Sequence, residues 1–361
     1  MAVKKPLVFA SGQVQELQSA DNINVAASDI TSGTIATARL GSGTANNATF
    51  LRGDNTWATP AGGGGGGGTP VITVFNSSGT YTNPQTGYLW VYLLAAGGGG
   101  GSGRRGAAST NRFGGGSGQP GNSLQAWYVA SMLPASIPIW VGAGGVGGVA
   151  QTVDNADGNT GGAGGITIFG GNGTSNDPNL ILITGFGTQG GIRGQTIAAG
   201  GASASTNVLI HLSASGGSSR PPSSPNPNVP GTSSISNSPG TCGGLGGGID
   251  NINNRYNGGL SDSQVGRIGS PQYIDRTAGG VGAGASGANG TTINGVRDFY
   301  SLSTGGGGGA SGDTAGTIAG GKGGNAGVGS SGGGGGASTN GAKSGAGGNG
   351  GNGLLVIIHW Q

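Results

Sequence analysis

The chain has 361 residues, of which 91 are Gly and 15 are Pro, with only 7% charged and 5% aromatic residues. Glycine at several times its ordinary share, beside a hydrophobic fraction of 33% drawn largely from Ala, leaves little apolar mass for a close-packed core and excludes an average globular enzyme. The formal charge of +3 does not hold the chain expanded, and with Lys4-Lys5 and Arg104-Arg105 as its only adjacent basic pairs it shows no nucleic-acid footprint.

Residues 1–21 read as an attachment segment, with Leu7-Val8-Phe9 running into a turn at Ser11-Gly12. The apolar run there is too short for a signal sequence, and no stretch is long enough to span a bilayer, so a product made soluble in the cytoplasm is expected. From 22 to 61 the apolar pulses Asn22–Val25, Asp29–Ile35 and Ala38–Gly41 alternate with Ser, Gly and Asn. Such brief strands cannot bury a core within one chain, which predicts an oligomeric stalk, most simply of three intertwined copies.

Ser32-Gly33-Thr34-Ile35, Ala38-Arg39-Leu40-Gly41-Ser42-Gly43-Thr44-Ala45 and Thr49-Phe50-Leu51-Arg52-Gly53-Asp54-Asn55-Thr56-Trp57-Ala58 resemble the shaft module of tailed-bacteriophage tail fibres. The opening Lys5-Pro6-Leu7-Val8 with Gln13–Gln18 is similar to the virion-proximal start of such proteins. The resemblance covers about the first 60 residues. It implies a homotrimer in the virion, assembled in the host cytoplasm and joined to a tail or baseplate protein through its N-terminus. Arg52-Gly53-Asp54, inside this motif, reads as a turn.

Residues 62–69, opening on the unbroken run Gly62–Gly68, read as a hinge, and 70–361 as a glycine-rich head. The head opens with the strand-like runs Val71–Phe75 and Tyr88–Leu94 and closes with Leu354–Trp360, and these ends are expected to pair. Between them glycine clusters recur at irregular spacing, which excludes a collagen triplet and most solenoids. Ordering a Gly costs roughly 0.5–1 kcal/mol more than ordering Ala, so the glycine amides need near-complete hydrogen bonding. Packed left-handed extended helices satisfy that demand, because backbones without Cβ can approach from several directions. The fold class expected is therefore mainly β and irregular: a short intertwined trimeric stalk, then a domain of packed polyglycine-II helices closed by terminal strands. This architecture is similar to the distal adhesins of T-even-like phage fibres, in which variable loops on layered glycine helices recognise the host.

No catalytic constellation stands out. Three-glycine nucleotide patterns arise by chance at this composition; Gly336–Ser344 is one residue too long for a phosphate loop; Gly329-Ser330-Ser331-Gly332-Gly333 lacks the strand and helix of a nucleophile elbow. Cys242 is the sole cysteine, and His211 and His359 are the only histidines, each inside an apolar run. No enzyme activity, cofactor or metal is expected, although three copies of His359 on a trimer axis could hold an ion.

The Gly-poor loops carry more information, since Arg sits beside aromatic residues in them repeatedly. Arg104, Arg105, Arg112 and Phe113 form one set; Arg255 and Tyr256, Tyr273 and Arg276, and Phe299 and Tyr300 form others. Tyr, Phe and Arg concentrate binding energy at exposed loops, which makes these ten residues the candidate contacts for a bacterial surface receptor, either a polysaccharide or an outer-membrane or pilus protein. The alternatives are a glycine-rich self-assembling matrix protein without a specific receptor, and an ice-binding slab, which needs a flat face of Thr, Ala or Ser.

Overall fold

Strands form where β-branched and aromatic residues run together, and glycine takes over between them. The computed structural model describes residues 7–10, 12–16, 40–59, 69–175, 177–184, 188–195, 240–261, 264–265, 273–274, 276–293 and 302–361. The chain divides into two compact units, Met1–Gly66 and Gly67–Gln361.

In the first unit β1 (Leu7–Ala10) and β2 (Gln13–Glu16) form an antiparallel hairpin that turns through Gly12, whose φ of 78° is left-handed. β3 (Phe50–Leu51) and β4 (Trp57–Ala58) pair across the Arg52–Asn55 turn, where the Asp54 carboxylate accepts from the Thr56 amide at 3.1 Å. Leu7, Val14, Phe50 and Leu51 stay exposed, so the described part of this unit has no core of its own. The pulses expected at Asn22–Val25 and Asp29–Ile35 lie outside the described residues.

The second unit begins with β5 (Val71–Phe75), β6 (Gly79–Thr82) and β7 (Tyr88–Leu94). There follow β8 (Arg105–Gly106), β9 (Ser123–Val129), β10 (Ser136–Trp140), β11 (Ile168–Gly170) and β12 (Leu180–Ile183). Short pairs come next: β13 (Gln264–Val265) with β14 (Tyr273–Ile274), and β15 (Thr292–Ile293) with β16 (Leu302–Ser303). β17 (Ser338–Thr339) pairs with β8, and β18 (Leu354–Trp360) ends the chain. The fold is mainly strand and irregular, with one 3-10 turn, Ala130–Met132, among the described residues.

Two four-stranded antiparallel sheets, ordered β5-β18-β7-β9 and β12-β11-β10-β6, pack face to face. The last strand lies between the first and third strands of the unit, so the two ends of its chain close on each other. Alternation along β7 and β18 sends Leu89, Val91, Leu93, Leu355 and Ile357 into the core with Tyr81, Ile137, Ile139 and Phe169. The opposite side chains, Trp90, Tyr92, Leu94, Val356 and Ile358, form a second cluster on the outer face of the same sheet.

The glycine segments that leave this sandwich hydrogen-bond with a period of three. Along 95–106, Ala96, Gly99, Ser102 and Arg105 donate to Gly165, Gly162, Asn159 and Ala156. Gly97, Gly100 and Gly103 donate to Gly351, Gly348 and Gly345, while Gly98, Gly101 and Arg104 donate to Gln119, Gly116 and Phe113. The carbonyls of the same segment accept from three further neighbours, for example from Gly145 at Gly97, Gly332 at Gly98 and Gly191 at Gly99. A sheet strand bonds in two directions; this segment bonds in six. A Cβ on Gly97 would overlap the Ser330 carbonyl, and one on Gly100 that of Gly333, so no other residue fits there.

Segments 303–312 and 329–339 are surrounded in the same way, and the bonds resolve into three layers. The middle layer holds 156–165, 95–106, 329–339, 303–312 and 276–281, flanked on one side by 188–195, 113–121, 240–249 and 256–261. On its other side lie 142–149, 343–353, 318–328 and 284–291. Some amides of that layer bond Asn side-chain carbonyls in place of backbone: Asn325 N bonds Asn289 Oδ1, Asn349 N bonds Asn325 Oδ1, and Gly147 N bonds Asn349 Oδ1, at 2.9, 3.0 and 2.9 Å.

Candidate functional site

β7 enters the slab at residue 95, and 121 and 353 leave it into β9 and β18, so the sandwich caps one end. Antiparallel and parallel bonding fixes every other segment's direction, and the loops 104–113, 149–158, 249–256, 281–285, 312–319 and 338–343 therefore gather at the opposite, distal end. Each joins glycine segments running in opposite senses.

Polar contacts lock these loops to one another. Arg104 pairs with Asp157, and Arg105 pairs with Asp154 at 2.6 Å and donates to the Thr152 carbonyl. Asn155 Oδ1 accepts from Ala107 N at 3.0 Å and from Asn340 Nδ2 at 2.9 Å. Asn253 Oδ1 accepts from Ser109 N at 2.9 Å and from Arg112 Nη2 at 2.8 Å. Ser109, Asn155 and Asn253 all have left-handed φ, of 61°, 56° and 66°, a conformation that Asn tolerates better than most residues.

Arg112 is the centre of this network. It is 1% exposed, and its guanidinium donates to Thr110 O, Thr339 Oγ1, Asp250 O and Asn253 Oδ1 at 3.0, 2.8, 3.3 and 2.8 Å. Thr339 Oγ1 passes the connection on by donating to Asp313 O at 2.9 Å. Burial lowers the Arg112 pKa, and the nearby Asp250 charge opposes that shift.

The carboxylates of these loops are engaged as well. Partial burial raises the Asp250 pKa, but hydrogen bonds from the Asn254 amide at 2.7 Å, the Tyr256 hydroxyl at 3.0 Å, Asn254 Nδ2 and the Ile252 amide outweigh it and leave the group below the usual value. Asp313 is lowered in the same way: donors on Thr317 and Ile318 outweigh its burial. Tyr256 is raised by burial first and by its bond to Asp250 second. Acceptors held this firmly as carboxylates suit a structural floor rather than proton transfer.

Above that floor, aliphatic side chains from four loops face solvent, among them Val153, Ile252, Val281 and Ile318. Ile252 and Val281 are 73% and 76% exposed. Arg255, on the loop 249–256, is exposed as well.

The ten residues singled out from the sequence do not form one surface. Arg104 and Arg105 are half-buried in ion pairs, and Arg255 and Tyr256 stand at the distal end. Arg112 and Phe113 correct the expectation of exposed contacts, since they are 1% and 8% exposed. The reason is that their loop folds inward, with Arg112 bonding Ile249 through both backbone groups. Tyr273 lies on β14 and Arg276 just after it, between the far ends of 256–261 and 276–281, at the sandwich end of the slab. Phe299 and Tyr300 lie outside the described residues, as do His211 and the Pro-rich stretch 218–239. His359 is buried on β18, its ring nitrogen 2.7 Å from the Thr86 carbonyl.

Sequence reasoning missed Asp154, Asp157, Asp250, Thr339 and the four aliphatics. The available signal was that Asp154, Asp157, Asp250 and Thr339 lie in breaks between glycine segments. No protein-family model matches the chain, and no curated protein matches it.

Proposed function

We propose that the chain is a receptor-binding fibre protein of the tailed-phage type, attached to the virion through residues 1–21. It forms homotrimers through its shaft and attaches the particle to a bacterial surface without covalent chemistry. We read the glycine segments as polyglycine-II helices: their donors turn through three directions and return every third residue, the period of a helix with three residues per turn. The apolar residues that the first unit leaves exposed, Phe50 and Leu51 among them, support a shaft completed by further copies.

One observation carries the reading of the head. A rigid backbone lattice brings six loops to one end, braces them with ion pairs and amide bonds, and leaves aliphatic side chains outermost. Preorganised apolar groups rimmed by polar residues bind with little ordering cost. Three heads on one shaft multiply weak single contacts. The receptor class this surface suits better is a protein patch with apolar side chains than a highly charged polysaccharide.

Ile252→Asp with Val281→Asp tests the reading, because both side chains are exposed and their loss leaves the lattice intact. Retention of the purified protein on a panel of bacterial envelopes should fall at least tenfold, with the thermal midpoint unchanged. Undiminished retention would remove the distal loops from the contact surface.

A further inference from the structure

The sandwich carries an apolar surface that a lone copy leaves in water. Across 69–103, 114–153, 166–192 and 354–361, which include every strand of both sheets, the chain has a single charged residue, Asp177. Soluble surfaces ordinarily carry charge on a quarter or more of their positions. Here Val71, Ile72 and Val74 of β5, Tyr88 of β7, and Trp127 and Val129 of β9 are exposed instead.

Register places most of them on one face. Ile72, Ile358, Trp90 and Trp127 stand side by side across the sheet, as do Val74, Val356, Tyr92 and Gln125; the middle of that face is closed within the chain by Val328 and Trp360, so the exposed side chains form rims on β5 and β9. Trp127, 63% exposed, stacks on Trp360 with ring centres 5.0 Å apart. Among the described residues β5 and β9 are the two edges of that sheet. The β5 edge has no charge, no internal Pro and no bulge, since its pairing with β18 runs unbroken from Val71 to Phe75. Soluble proteins blunt exposed edges with such devices, and one without them needs cover.

We infer that the β5 edge, with Ile72 and Val74, is covered by a second copy of the same head, so that the three heads of a trimer form one knob. The inference rests on the trimeric shaft proposed above. The occupant follows from tether length: about a dozen residues separate β4 from β5, a reach on the order of 45 Å at most. Chains joined in the shaft therefore hold their β5 strands at an effective concentration in the millimolar range, roughly. Uncharged apolar edges meet neighbouring copies there without repulsion.

The test uses the full chain and its Ile72→Lys, Val74→Lys variant, with Ile72→Thr, Val74→Thr as a second variant that keeps β-branched side chains on the strand. Light scattering gives the mass, negative-stain microscopy counts knobs per shaft, and acrylamide quenching reads the exposure of tryptophans. The native chain should show trimer mass, one knob and shielded tryptophans. The lysine variant should keep trimer mass, separate into three knobs and quench at least twice as strongly, with the threonine variant between. A native trimer with three separate knobs, or equal quenching in all forms, overturns this inference alone. A native monomer overturns the trimeric shaft and this inference together.

Discussion

Replacing Arg112 with Met removes four hydrogen bonds that link the loop 104–113 to itself, to 249–256 and to 338–343. Hydrogen bonds to a charged donor contribute about 1.5–3 kcal/mol each, but the full sum does not apply here. Asn253 Oδ1 keeps its bond from Ser109, Asp250 O keeps one from the Asn253 amide, and Thr339 Oγ1 still donates to Asp313 O. Met also spares the cost of burying a cation. The expected loss is therefore about 3 kcal/mol, near the lower bound for breaking a buried ionic network. For a unit of this size that is a fall of roughly 6 °C in the thermal midpoint. Lys should recover less than half, since it cannot reproduce the planar fork that reaches three loops. Hydrogen exchange supplies the assay, with peptides over 249–256 and 338–343 losing protection while the amides of 97–101 keep theirs. A loss below about 1 kcal/mol, or faster exchange spread evenly over the slab, would refute the view that one guanidinium braces the distal end.

Gly100→Ala places a Cβ on the Gly333 carbonyl with backbone on every side, and should abolish soluble expression of the head or lower its midpoint by more than 10 °C, roughly. Gly53→Ala, where nothing lies within 4 Å, should change stability by less than about 0.5 kcal/mol; similar effects at both positions would argue against backbone contact as the reason for glycine. Asp250 and Asp313 have folded pKa values below the ordinary 3.8, so they contribute stability above that value and lose it as pH falls through their lowered ones. Acid titration of the thermal midpoint should fall below about pH 4 and fall less steeply in Asp250→Asn, and equal slopes would show that this carboxylate is not linked to folding.

The strands were legible because β5, β7 and β18 are the densest runs of β-branched and aromatic residues, and their pairing needs no other signal. The distal end was not legible in the same way. Arg112 reads as a surface residue until its partners are known, and those on Asp250 and Thr339 lie 138 and 227 positions away. Tyr256 and Tyr273 are near in sequence yet sit at opposite ends of the slab, because the single segment 256–261 carries the chain across. Composition reveals which residues can bind; the direction of each glycine segment decides which of them meet.

A finer rule was present in the sequence all along. The three segments bonded on every side contain unbroken runs of five glycines, 97–101, 305–309 and 332–336. A segment in the outer layer needs glycine only where it faces neighbours, so every third position is free to carry a side chain. That is the pattern of Lys322 and Asn325, and of Ala143, Val146 and Val149, each separated by residues packed into the slab. Within the slab, runs without interruption therefore mark the middle layer and runs broken every third residue mark a face, because a Cβ is tolerated only where the lattice ends. Applied to 318–328, this assigns Lys322 and Asn325 to an exposed face from the string Lys-Gly-Gly-Asn alone, and the Asn325 carbonyl that accepts from Asn349 shows the further use of that position. At the edge of the lattice a side chain supplies the partner that no backbone does.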